Sequence, residues 1–161
     1  MSGTAPRVET TETTGIRVPP PTYYLAGLLA GLALELGFPI DGPQTWVRIA
    51  VGVLGLAGFL YLDGGATARF GRAGTNVIPW KPASALVTDG PFRITRNPMY
   101  VGMALLYVAI AVATGLIWAL ILLPLVLIAV DRLVIAKEEP YLERLFGEPY
   151  LEYKRRVRRW L

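Results

Sequence analysis

Glu138 and Glu139 stand side by side where a long apolar run ends, with Asp131, Arg132 and Lys137 close by. A carboxylate pair at a membrane-facing helix end is costly unless it is solvated or partnered by a cation. Taken alone, the pair reads equally well as a solvated helix end. A second polar stretch about forty residues earlier changes that balance, because it supplies Arg93, Arg96, Asn97 and Tyr100 as donors. There Pro98 suits a first helical turn, Asn97 is a favoured N-cap, and the free N–H groups at the positive end of the helix favour anions. The same features would also serve a helix start with no further role.

Histidine and cysteine are both absent, which removes Cys/His zinc sites, thiol nucleophiles, disulfides and histidine bases. Any chemistry must run on Asp, Glu, Tyr, Arg, Lys or backbone groups, or belong to a cofactor. No metal-binding cluster and no nucleic-acid motif is present in the sequence.

The elements that must position these residues are apolar. Hydrophobic residues make up 53% of the 161 and charged residues 17%, and the mean hydropathy is +0.45, well beyond a soluble domain. The expectation is an all-α integral membrane protein with four transmembrane helices, at about 23–38, 45–62, 99–113 and 116–136. Residues 1–20, rich in Thr and Pro, read as a disordered tail; 21–161 form one transmembrane domain, with site segments at 74–98 and 137–161. The first apolar run starts late and is followed by Glu35, so it does not read as a cleaved signal peptide.

Thr114-Gly115 leaves so little chain between the third and fourth spans that they must form a tight hairpin, with both polar stretches on one side. Fifteen of the sixteen Lys and Arg fall on that side of the predicted topology, Arg48 alone being opposite. The positive-inside rule then puts both termini and the site in the cytoplasm, at the cell inner membrane. The net charge of +4 fits this topology and an attraction to anionic lipid headgroups.

Gly27 and Gly31 form a GxxxG pattern, and Gly52, Gly55 and Gly58 repeat a small face; these predict packing of the first two helices on each other, with a homodimer as their weaker use. Gly102 permits close approach of a ligand or a helix. Tyr141, Tyr150, Tyr153 and Trp160 alternate with basic residues, which suits either an amphipathic helix at the interface or a lid. Gly147 should break that segment and let the tail fold across the hairpin mouth.

At these stretches the sequence resembles the isoprenylcysteine carboxyl methyltransferase family and the broader group that includes phospholipid N-methyltransferases. Leu86-Val-Thr-Asp-Gly-Pro-Phe is similar to that family's Leu-Val-Thr-x-Gly-x-Tyr, and Arg96-Asn-Pro-Met-Tyr-Val-Gly to its Arg-His-Pro-x-Tyr-x-Gly. Glu138-Glu, followed by Phe146-Gly-Glu-Pro-Tyr-Leu-Glu-Tyr-Lys-Arg-Arg-Val157, resembles its C-terminal signature.

The resemblance implies methyl transfer from S-adenosyl-L-methionine to a lipophilic acceptor at the membrane interface. It puts cofactor contacts on Ser84, Ala85, Leu86, Val87, Phe92, Arg96, Asn97, Pro98, Met99, Tyr100, Gly102 and Glu138. Arg132, Glu139 and Tyr100 are the candidate catalytic residues, Arg132 to hold an acceptor carboxylate and Glu139, Asp131 or Tyr100 to take a proton from an amine. The chain departs from the isoprenylcysteine pattern where Asn97 and Ser84 replace histidines and where Val134 aligns with the acceptor-binding arginine. A phospholipid headgroup is therefore the alternative acceptor. Membrane sterol reductases, which use a nicotinamide cofactor, share a related Arg-x-Pro-x-Tyr motif. A helical scaffold or transporter subunit is the non-enzymatic alternative, against which the charge-free interiors of the last two spans argue.

Overall fold

Two consecutive prolines, Pro20 and Pro21, start the first helix of the chain, where a missing N–H costs nothing. A computed structural model describes residues 14–16, 18–78 and 81–161. The tail expected to be disordered falls mostly on residues 1–13 and 17, outside the described ones; Ile16 is buried in the core.

All regular structure among the described residues is helical: α1 (Pro20–Gly37), α2 (Thr45–Ala73), α3 (Pro98–Thr114), α4 (Ile117–Phe146) and α5 (Glu148–Arg156). A single 3-10 turn occupies Gly90–Arg93. By length and composition α2 and α4 can each cross a membrane, and α3 is a shorter apolar helix. At 1.5 Å per residue α2 and α4 measure roughly 45 Å, against about 30 Å of bilayer core. Both therefore extend well beyond the apolar layer.

Those extensions correct two expected boundaries. The second span is expected to end near 62, yet α2 continues through Asp63, Gly64 and Gly65 to Ala73 by way of a π turn at Leu60–Gly64. Gly65 lies against Pro91, whose ring a side chain at position 65 would meet at 2.9 Å, so tertiary packing selects a residue of poor helix propensity. α4 likewise runs on past position 136 through a second π turn at Asp131–Ile135. Pro140 lies inside the following stretch, where it cannot donate to the Ala136 carbonyl.

The helix partners also differ from the glycine-based expectation. α1 packs on α4 and α2 on α3. A Cβ on Gly31 would lie 2.6 Å from Ala119 of α4, and one on Gly55 2.8 Å from the Leu105 carbonyl of α3. The small faces do bring backbones together, but each against a helix of the hairpin.

The hairpin itself is as tight as expected. Gly115 adopts φ 79° and its N–H caps α3 through Val112 O. Tyr107 is fully buried and donates to Ala119 O at 2.7 Å, tying α3 to α4. At this end Glu35 accepts from the backbone N–H of Trp118, satisfying a free donor in the first turn of α4.

Candidate functional site

At the opposite end of the hairpin, the first turn of α3 faces the distal part of α4. Asn97 is the N-cap residue of α3, but its side chain does not cap. Its Nδ2 donates instead to Arg159 O at 2.9 Å, and Thr95 Oγ1 donates to the same carbonyl. The Arg96 N–H donates to Arg158 O, and Arg96 Nη1 to Lys154 O, both at 2.9 Å. These bonds stitch the C-terminal tail onto residues 95–97.

The tail reaches this position because Gly147 breaks the helix at φ 59°. α5 then buries Tyr150 and Tyr153 against Val87 and Phe92, and Tyr153 Oη donates to Phe92 O at 2.7 Å. Of the two expected roles for this segment, covering the hairpin mouth is the one its packing supports.

The glutamates divide. Glu139 is buried and surrounded by cations: Arg96 Nη2 lies 2.7 Å away, Arg159 Nη2 2.6 Å and Lys154 Nζ 3.7 Å. Burial alone would raise its carboxyl; the hydrogen bonds from Arg159 and the charges of Arg96 and Lys154 overcome that and hold it below its ordinary value. Among the described residues the donor to Glu138 is Tyr100, whose Oη lies 2.7 Å from Oε1. Burial pushes its carboxyl up to about 7, opposed by the Tyr100 bond and reinforced by Glu139. Both glutamates lie beyond the apolar stretch of α4.

Glu138 lines a cleft that is partly open to solvent. Its walls are largely apolar or aromatic: Phe70, Ala85, Leu86, Val87, Phe92 and Met99 contribute, with Arg96, Asn97, Pro98, Tyr100 and Tyr141. Phe70 and Phe92 stack with ring centroids 5.1 Å apart. Ala83 donates its N–H to Tyr141 Oη, and Thr75 Oγ1 accepts from Ser84 and Ala85, which fixes the wall formed by residues 83–87.

Residues 47–149, well over half of the chain, match the phospholipid methyltransferase family. The chain belongs to that family. Its relatives include an uncharacterized protein of Haemophilus influenzae, 36% identical over 63 residues, which are 39% of this chain and 100% of that protein. Another is Protein-S-isoprenylcysteine O-methyltransferase of Schizosaccharomyces pombe, 31% identical over 99 residues that cover 60% of this chain and 42% of the relative. The chain thus spans less than half the length of the fission-yeast enzyme. No solved structure matches.

In this methyltransferase-family chain most of the predicted site residues converge. Ala85, Leu86, Val87, Phe92, Arg96, Asn97, Pro98, Met99, Tyr100, Glu138 and Glu139 all line the cleft. Three do not. Ser84 turns away to donate to Gly74 O. Gly102 packs against Asp63 and Leu62 of α2, the helix-packing use of that glycine. Arg132 has a side chain 78% exposed, pairs loosely with Asp131 at 3.8 Å and does not reach the cleft.

Phe70, Thr75, Asn76 and Lys81 also line the cleft; the last three fall in the expected site segment 74–98 without having been singled out, and Phe70 lies before it. Lys154 and Arg159 were counted only as membrane-side cations. The Glu-Glu pair was the available signal, since a buried pair of carboxylates demands nearby cations.

Proposed function

We propose that this chain transfers a methyl group from S-adenosyl-L-methionine to a lipophilic acceptor at the cytoplasmic membrane interface. The observation that carries the reading is Glu138, a carboxylate on the wall of a largely apolar and aromatic cleft, whose donor among the described residues is Tyr100. Bound there, S-adenosyl-L-methionine would supply an already activated methyl group.

The donor set suits that cofactor. Glu138 offers an anion for an ammonium group, and Arg96 Nε is buried without an acceptor, ready for a carboxylate or another oxygen. Phe92, Met99 and Tyr100 would pack the adenine and sulfonium, and backbone groups of 85–87 would contact the ribose and base. The protein's remaining work is to align the reactants and exclude water, which Tyr141, Tyr150 and Tyr153 serve by closing the wall. Among the described residues no group of His, Cys, Asp and Glu could hold a metal ion, and no step of this reading calls for one.

The acceptor divides into two classes. An amine-bearing lipid headgroup is favoured by two of the cations: Arg132 faces away, and Arg159 is engaged by Glu139 and Asp131, so neither awaits an acceptor carboxylate. A carboxyl acceptor is favoured by the likeness to the isoprenylcysteine enzyme. Lys81, exposed at the cleft, suits the phosphate of a headgroup or a carboxylate.

Four spanning helices, both termini inside and a site formed from 74–98 and 137–161 complete the reading, supported by the apolar lengths of α2 and α4 and by the cation asymmetry. Purified protein in lipid, given methyl-labelled cofactor and membrane extract, tests it. Label in a phospholipid headgroup identifies the amine class, and label in a base-labile ester the carboxyl class. Transfer to neither lipid class would reject the reading.

A further inference from the structure

Eight residues separate Asp131 from Glu139, a spacing that in a straight α-helix leaves the two side chains about 80° apart. The π turn at Asp131–Ile135 absorbs one extra residue, which brings them to within about 20°, the relation of i and i+7. One guanidinium spans the resulting pair. Arg159 makes a two-point fork on Glu139, Nε to Oε1 at 3.1 Å and Nη2 to Oε2 at 2.6 Å. Its Nη1 donates to Asp131 Oδ1 at 3.2 Å, and Trp160 Nε1 donates to that same oxygen at 3.1 Å. The carbonyl of Arg159 accepts from Thr95 and Asn97. A single tail residue therefore joins both halves of distal α4 to the start of α3.

We infer that Arg159 is a positioning residue, which locks Glu139 onto the tail and so leaves Glu138 as the carboxylate of the pair available to a cationic ligand in the cleft. A planar fork matched to a carboxylate holds its orientation in a way a single point charge does not. With Arg159 in place, both Glu139 oxygens are engaged. Without it, Glu139 keeps Arg96 and Lys154 but is free to rotate toward the cleft, where its charge opposes ionisation of Glu138.

The charged and titratable groups that share the cleft with Glu138 are Tyr100 from α3, Lys81 and Arg96 from the preceding loop, Glu139 and Tyr141 on α4, and Tyr150 and Tyr153 from α5. Around Glu139 lie Arg96, Lys154 and Arg159, with Lys154 shared with Glu143 and Arg159 with Asp131. Replacing Arg159 by Gln removes one positive charge from this set. Replacing Glu139 as well restores the original sum.

The ligand-free protein gives the decisive readout. Because Glu138 titrates higher in the folded chain than in the unfolded one, its ionisation costs stability as pH rises through that window and no more above it. The Tm difference between each background and the same background carrying E138Q isolates this contribution, and the pH at which it levels off marks Glu138. That pH should rise by about 0.5–1 unit in R159Q, the equivalent of roughly 1 kcal/mol of added repulsion from a Glu139 charge no longer held by the fork. It should return to the parental value in E139Q/R159Q. R159K keeps the charge but cannot form the fork; it should shift in the same direction by less, and it stands in if R159Q does not fold. An R159Q or R159K protein that loses Tm equally at every pH, with the levelling point unmoved, would reduce Arg159 to a structural clasp and overturn the proposal.

A binding arm rests on the proposed function. S-adenosylhomocysteine should bind R159Q several-fold more weakly than the parent at pH 7, with most of the difference lost at pH 8.5. If the parent itself does not bind, the cofactor reading fails while the titration still decides the role of Arg159.

Discussion

Tyr100 donates its hydroxyl to Glu138 at 2.7 Å, joining the first turn of α3 to distal α4 across 38 residues of sequence. Glu138 also lines the cleft. Burial, which that bond opposes, makes the protonation of Glu138 the first thing a cationic ligand must contend with.

Affinity for S-adenosylhomocysteine should therefore depend on pH in a stated direction. With the Glu138 carboxyl raised to about 7, its anionic form is the minority at pH 6 and the majority at pH 8. Calorimetry should show binding about tenfold weaker at pH 6 than at pH 8. In E138Q the same pair of measurements should agree within experimental error.

Glu139 has the opposite electrostatic role and should be the more structural residue. Its side chain is 6% exposed and that of its partner Arg96 9%. E139Q leaves buried guanidinium charge uncompensated, and breaking one side of such a pair costs on the order of 3 kcal/mol. A thermal melt in detergent should show a marked loss of Tm. E148Q, which breaks an exposed pair with Arg155, should leave Tm unchanged.

The helix contacts predict a second stability contrast. Gly31→Ala puts a methyl group 2.6 Å from the Ala119 backbone, which cannot move aside, so overpacking should cost about 1–3 kcal/mol. Gly71, also helical, has open space where a Cβ would go. Gly71→Ala should be neutral or stabilising, as helix propensity favours alanine by up to about 1 kcal/mol. Equal loss of Tm in both variants would contradict the packing of α1 on α4.

How the sequence relates to this architecture varies from residue to residue. The meeting of Arg96 and Tyr100 with the glutamates was legible because Thr114-Gly115 permits only a tight hairpin, and a hairpin forces its outer ends together. Which cation serves which glutamate was not, since that depends on the path of the tail after Gly147. The glycines at 27, 31, 55 and 58 marked small faces, yet a small face carries no record of its partner; the partner is set by the global arrangement. The helical run through Gly64-Gly65 was hidden because local propensity opposes it and packing against Pro91 prevails. Arg132 stood in for the family's acceptor-binding arginine, which aligns with Val134, and its side chain faces solvent.

Topology is open to direct labelling. Single cysteines at Ser84 and Glu148 should react with an impermeant reagent from the cytoplasmic face, and one at Gln44 from the opposite face. Positions 84 and 148 on different sides would break the site apart.

The most direct test of the account is the affinity of E138Q for S-adenosylmethionine, measured by calorimetry at pH 8 with a chelator present. The substitution keeps shape and most hydrogen bonding while deleting the charge, and a charge-assisted contact is worth about 1.5–3 kcal/mol. Affinity should fall roughly 10- to 150-fold, while Tm at this pH should rise, because the folded chain no longer carries a buried carboxylate that resists ionisation. E143Q, away from the cleft, should stay within about twofold of the parent. An E138Q protein that binds the cofactor as tightly as the parent, or that loses Tm without losing affinity, would contradict the account and leave Glu138 a structural helix terminus.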